Sequence, residues 1–173
     1  MPSAAPTHAG GALFRETAGG VVLGTEVHDR FAEIGWLEPG ESMPGAEGGG
    51  DAVRLVADCL ASPDVRRAIF TRPAGPCLLW CERRFEWIEE GRWVSGAFDR
   101  VVVRLGSDGA PVSASVHDFK TDQVDAAEAA ARYAPQLEAY RRALAGILGI
   151  DPDRVSAGIV HVRSGTVVPI FNP

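Results

Sequence analysis

The triplet Asp118-Phe119-Lys120 ends a run rich in β-branched and small residues, 112–120 (VSASVHDFK). In an extended strand, positions i and i+2 point to the same side, so the Asp118 carboxylate and the Lys120 ammonium share one face. A second carboxylate, Asp99, lies in the preceding run 92–105 (RWVSGAFDRVVVRL). If the turn at 106–109 closes a regular hairpin, Asp99 lies opposite Val116 or thereabouts, one pair from Asp118. An even-numbered turn then brings Asp99 to the face of Asp118 and Lys120, and a slip or bulge undoes this. Two carboxylates offer hard oxygen ligands suited to Mg²⁺, with Mn²⁺ as a substitute. Such an ion polarises a phosphoryl oxygen and acidifies water, and a neighbouring lysine orients water or stabilises developing negative charge.

Lys120 is the single lysine beside sixteen arginines. At solvated surface positions the two residues exchange freely, so either sampling or chemistry left a lysine here. Chemistry would need a compact, mobile ammonium that can approach a reacting group.

The elements that must position these groups read as follows. Residues 1–20 are rich in Ala, Gly and Pro and form a loose lead-in, leaving 21–173 as one domain. Val27, Phe31, Ile34 and Leu37 follow helical spacing over 24–37. Residues 38–50 form a Gly/Pro loop, Asp51 opens a second helix, and a third short helix follows Pro63. The aromatic and β-branched runs 77–89 and 92–105 form a hairpin about Glu90-Gly91, and 112–120 adds a third strand. A long helix runs over 125–148, with Pro135 inside it as a kink or break. Residues 155–162 and 166–171 close the chain as a second hairpin. The order α–α–α–βββ–α–ββ predicts a mixed α/β (α+β) fold, with helices packed on a central sheet.

Beyond these local signals, four motifs occur in a familiar order: Gly24-Thr25-Glu26-Val27-His28, Gly96-Ala97-Phe98-Asp99-Arg100, Asp118-Phe119-Lys120-Thr121-Asp122, and Tyr133-x-x-Gln136-Leu137-x-x-Tyr140. Together with the Glu82-x-x-Phe85 stretch they resemble the RecB/AddA-type nuclease domain of the PD-(D/E)XK superfamily. The resemblance implies a restriction-endonuclease-like central mixed sheet and a metal-dependent deoxyribonuclease of exonuclease V type. It implies that His28, Asp99 and Asp118 ligate the metal, that the Phe119 carbonyl joins them, and that Lys120 acts on the water. Gln136 and Tyr140, four apart on one helical face, are implied to touch the DNA backbone or support the catalytic groups; helix packing is their plain alternative. A salt bridge with Arg100 is the corresponding alternative for Asp99. Some relatives carry an iron–sulfur cluster on four cysteines, several beyond the nuclease motifs. This chain has Cys59, Cys77 and Cys81 and none later, so no cluster is expected. His8, His117 and His161 read as structural, with His117 facing away from Asp118.

The expected partner is DNA, single-stranded at a double-strand break, for repair and recombination. The relatives are the nuclease ends of helicase–nuclease chains, and Pro2-Ser3-Ala4-Ala5 is similar to the segment leading into that domain. No Walker A motif is present, so a helicase motor would lie elsewhere in a longer chain or in a partner; a stand-alone exonuclease is the alternative. A catalytically inactive nuclease-like module that binds DNA or protein is a further reading. The net charge of −6 argues mildly against nucleic acid, although a bound cation would offset it locally. No apolar run approaches the ~18 residues of a membrane span, and the cysteine usage points to a reducing cytoplasm.

Overall fold

The computed structural model describes residues 18–42, 49–89 and 91–172. It is a mixed α/β structure: a five-stranded sheet, ordered β1-β2-β3-β4-β5, with helices on both faces. The strands are β1 (Cys77–Glu89), β2 (Arg92–Leu105), β3 (Pro111–Lys120), β4 (Val155–His161) and β5 (Thr166–Phe171). All neighbours are antiparallel except β3 and β4, which run parallel because the long helix α4 (Ala126–Leu148) connects them.

One face is covered by α1 (Ala18–Ala32), α2 (Asp51–Ala61) and the short helix α3 (Pro63–Val65), which widens into a looser turn over Arg66–Phe70. Val27, Phe31, Val56 and Phe70 pack there against Phe119 and Val160. The other face lies under α4, where Leu137 and Leu144 meet Val101, Val116 and Ile159. Asp125 caps α4 by accepting the Glu128 N–H at 2.9 Å, and Gly149 ends it at φ 68°. Pro135 does not divide the helix: packing along its length outweighs one missing backbone hydrogen bond. Among the described residues no helix is long and apolar enough to cross a membrane.

The first helix departs from expectation at both ends. It begins at Ala18, inside the segment read as a loose lead-in, whose residues 1–17 lie outside the described ones. It stops at Ala32, although Ile34 and Leu37 are buried as the helical spacing demanded. The cause is Arg100, 1% exposed, whose guanidinium donates to the carbonyls of Ile34 (2.9 Å), Gly35 (2.6 Å) and Ile69 (3.0 Å). Those carbonyls find a stronger, charged donor than a continuing helix would offer, and beyond them the Leu37 N–H donates to Phe70 O at 2.9 Å. Arg100 thus meets carbonyls and the Phe70 ring, 4.4 Å from its centroid, rather than a salt bridge with Asp99. Of the loop expected over 38–50, residues 43–48 lie outside the described ones.

Candidate metal centre

The β2–β3 register brings the two sequence-predicted aspartates level. Val101 pairs with Val116 and Arg100 with His117, so one further step sets Asp99 against Asp118. Asp99 is therefore not opposite Val116: the connection extends through Ala110, and the register shifts between Arg104 and Leu105. The total displacement is two residues, and strand alternation breaks at this rung, so Asp99 meets His28 of α1 while Lys120 meets Gln136 of α4.

Regular pairing of β2 with β3 ends at Arg100, and the Asp99 side chain takes over. Its Oδ2 accepts the Phe119 backbone N–H at 2.7 Å, and the residue is only 7% exposed. An equivalent irregularity occurs across the β1–β2 hairpin. Trp80, Val101 and Val103 join the core under α4, and so do Phe85, Trp87, Val94 and Phe98. Odd and even positions have exchanged faces on both strands, at the rung of Glu82 and Asp99, where pairing is interrupted. Each strand loses one alternation step, so Cys81 still pairs with Arg100 and Arg83 with Phe98. Glu82 carries the break, with left-handed backbone at φ 46°, a conformation costing a non-glycine residue about 1–3 kcal/mol.

Into this break comes His28 from α1. Its Nε2 is 2.9 Å from the Phe119 carbonyl, and its Nδ1 is 3.4 Å from both Glu82 Oε1 and Asp99 Oδ2. One donor atom each from His28, Glu82 and Asp99 lie within 4.8 Å of one another. Burial disfavours the imidazolium, but the contacts with Asp99 and Glu82 prevail and raise the His28 pKa to about 10.

Asp118 and Lys120 form an adjoining pair on the face of α4. Lys120 Nζ lies 2.5 Å from Asp118 Oδ2, 3.3 Å from Gln136 Oε1 and 4.2 Å from the Tyr133 ring centroid. Asp118 is 2% exposed, and burial together with the Asp99 charge lifts its pKa to about 6 against the opposing pull of Lys120. Gln136 in turn donates from Nε2 to Tyr140 Oη at 3.0 Å. Tyr140 packs edge-on against Phe85 and Phe98. Gly96 permits this, because a Cβ there would meet the Phe85 and Tyr140 rings at 3.0 and 3.2 Å. Gln136 thus accepts from Lys120 and donates to Tyr140, linking the two.

Of the sequence-predicted residues, His28, Asp99 and the Phe119 backbone meet directly, and Asp118, Lys120, Gln136 and Tyr140 form the neighbouring chain. Two residues had no assigned role. Glu82 sits at the break, and its signal was its Glu82-x-x-Phe85 setting in the strand paired with Asp99's. Tyr133 covers Lys120 and donates its O–H to Asp122 Oδ2 at 2.5 Å; it was visible only as the first residue of the last motif. An open cleft exposes the arrangement, lined by Thr25, His28, Glu82, Lys120 and Asp122 among others. His117 is on the opposite side of β3, with its pKa drawn down to about 4 by burial and the nearby Arg100. His161 contacts Ser164 Oγ at 2.7 Å, and His8 lies outside the described residues.

The donor set suits a divalent cation. Carboxylate oxygens serve Mg²⁺ or Mn²⁺, and an imidazole is compatible with Mn²⁺ and other first-row ions. The buried Asp118 Oδ2 has its ion pair with Lys120 but no directed hydrogen bond. No protein-family model matches this chain, and no curated protein matches it.

Proposed function

We propose that this chain is a Mg²⁺- or Mn²⁺-dependent deoxyribonuclease of the PD-(D/E)XK type, resembling the RecB/AddA nuclease domain. The observation that carries the reading is the contact of His28 with Asp99 beside the Asp118–Lys120 pair, with His28 and Lys120 lining an open cleft. His28, Asp99 and Asp118 would hold the cation, with the Phe119 carbonyl beside them. A bound cation supplies Lewis-acid polarisation of the phosphoryl group and a nucleophile at neutral pH.

The chain's own residues do the rest. Lys120, held by Gln136 Oε1, presents an ammonium to the charge that develops on the phosphoryl oxygens. Tyr140 fixes Gln136, and Tyr133 limits the directions from which Lys120 can be approached. Asp99, anchored on the Phe119 N–H, keeps β2 and β3 at a fixed separation where the scissile phosphate would lie. Lysine suits this place better than arginine, because its charge is compact and its stem can follow the phosphate.

The substrate we infer is single-stranded DNA at a double-strand break, delivered by a helicase motor in the same chain or a partner, or met by a free-standing exonuclease. The acidic balance of the chain is compatible with DNA being fed to the site rather than captured by a basic surface. Incubating the protein with end-labelled linear and circular single-stranded DNA, with Mg²⁺, Mn²⁺ or EDTA, tests the reading. Metal-dependent shortening of the linear strand supports it.

A further inference from the structure

We propose that Glu82 is itself a ligand of the cation held by His28 and Asp99; this rests on the metal-site reading above and adds to it a residue with no assigned role. Three features of the molecule carry it. First, the Glu82 carboxylate, the His28 imidazole and the Asp99 carboxylate form the compact donor group, with the three donor atoms within 4.8 Å of one another. Second, the fold departs from regular structure to bring Glu82 there. In an uninterrupted hairpin Glu82 and Asp99 would be an ordinary cross-strand pair. Instead both strands change face at this rung, and Glu82 adopts a left-handed backbone that L side chains rarely take. Third, the neighbouring Asp118, 2% exposed, leaves Oδ2 with an ion pair to Lys120 but no directed hydrogen bond.

Charge points the same way. Glu82 and Asp99 set two carboxylates around the His28 imidazole, beside the separate Asp118–Lys120 pair. A divalent cation, bound by the imidazole as a neutral ligand, matches the charge of those two carboxylates. Glu82 is also the accessible member, 36% exposed against 7% for Asp99, and so the ligand reached first from the cleft.

The competing role is orientation: Glu82 could act only through His28, by accepting a hydrogen bond from Nδ1. A double-mutant cycle separates the two. Mn²⁺ binding is measured by titration calorimetry on wild type, Glu82→Gln, His28→Ala and the double variant, with apo melting followed by circular dichroism. As a ligand, Glu82→Gln weakens Mn²⁺ at least tenfold in both the wild-type and His28→Ala backgrounds. No loss in wild type, or a loss that vanishes once His28 is gone, overturns the proposal. Glu82→Asn provides a second probe that tolerates the left-handed backbone; if Glu82→Gln fails to fold, it supplies the same comparison. Cleavage of single-stranded DNA is assayed in parallel. Glu82-dependent Mn²⁺ binding without wild-type cleavage would uphold Glu82 as a ligand and overturn the nuclease reading. Intact Mn²⁺-dependent cleavage with Glu82-independent binding would do the reverse. Absence of Mn²⁺ binding by wild type overturns both.

Discussion

The Asp99 carboxylate accepts the backbone N–H of Phe119 at 2.7 Å, so a side chain completes the junction between β2 and β3 where their ladder stops. That bond makes Asp99 both a structural clasp and a carboxylate at the site. Its removal therefore combines two losses. Asparagine would keep an amide oxygen able to accept that N–H, so the test is Asp99→Ala, which removes the acceptor outright. Mn²⁺ binding and cleavage should both fall by at least tenfold, with apo stability lowered by about 1–3 kcal/mol for the buried N–H left unpaired. Denaturant melts and calorimetry on the same preparation separate the two effects.

Lys120 is assigned to charge stabilisation, and its substitutions should affect the rate more than metal binding. Lys120→Ala should lower cleavage by roughly 10²–10³-fold, the usual effect of losing one preorganised donor at a developing charge, with Mn²⁺ affinity changed much less. Lys120→Arg should stay close to Lys120→Ala, because a planar guanidinium cannot fit between Asp118, Gln136 and the Tyr133 ring as an ammonium does. Near-normal cleavage by Lys120→Arg would reduce Lys120 to a source of diffuse positive charge.

The chain Lys120–Gln136–Tyr140 makes a graded test of positioning. Tyr140→Phe removes the acceptor of Gln136 but keeps the ring packed on Phe85 and Phe98. It should lower kcat about tenfold with little change in KM, and Gln136→Ala should be worse, since it meets Lys120 directly. Steady-state cleavage of a fixed-length oligonucleotide checks the order; equal, negligible effects would return both residues to helix packing.

Arg100 ties three segments together, and its loss should be a stability effect. Arg100→Leu leaves the carbonyls of Ile34, Gly35 and Ile69 without their charged donor. At about 1–3 kcal/mol for each buried unsatisfied group, discounted for relaxation, a loss on the order of 3–5 kcal/mol follows. Urea melts of Arg100→Leu and Arg100→Lys check it, and Lys should rescue only part because it lacks the fork that reaches all three.

How much of this was legible in the sequence varies by element. The hairpin of β1 and β2, the third strand and α4 were readable because each satisfies local chemistry and packing together: strand formers flank Glu90-Gly91, and Asp125 and Gly149 bound an amphipathic run. The end of α1 was not, because Ile34 and Leu37 keep helical spacing while a residue 66 positions later claims the Ile34 carbonyl. Lys120, Asp118 and Asp99 were legible by type and order, but their exact level was not, since it depends on a shift at Arg104 and Leu105. Glu82 was hidden for a different reason. The exchange of faces occurs on both strands at once, so each half of the hairpin still alternates correctly when read alone.

The measurement closest to the central claim is cleavage of end-labelled linear single-stranded DNA by wild type and Lys120→Ala, with Mg²⁺, Mn²⁺, Ca²⁺ or excess EDTA. Wild type should shorten the strand with Mg²⁺ or Mn²⁺, do little with Ca²⁺, and stop in EDTA, while Lys120→Ala stays nearly inert throughout. Undiminished cleavage in EDTA, equal activity in Lys120→Ala, or no cleavage by wild type that binds Mn²⁺ would contradict it.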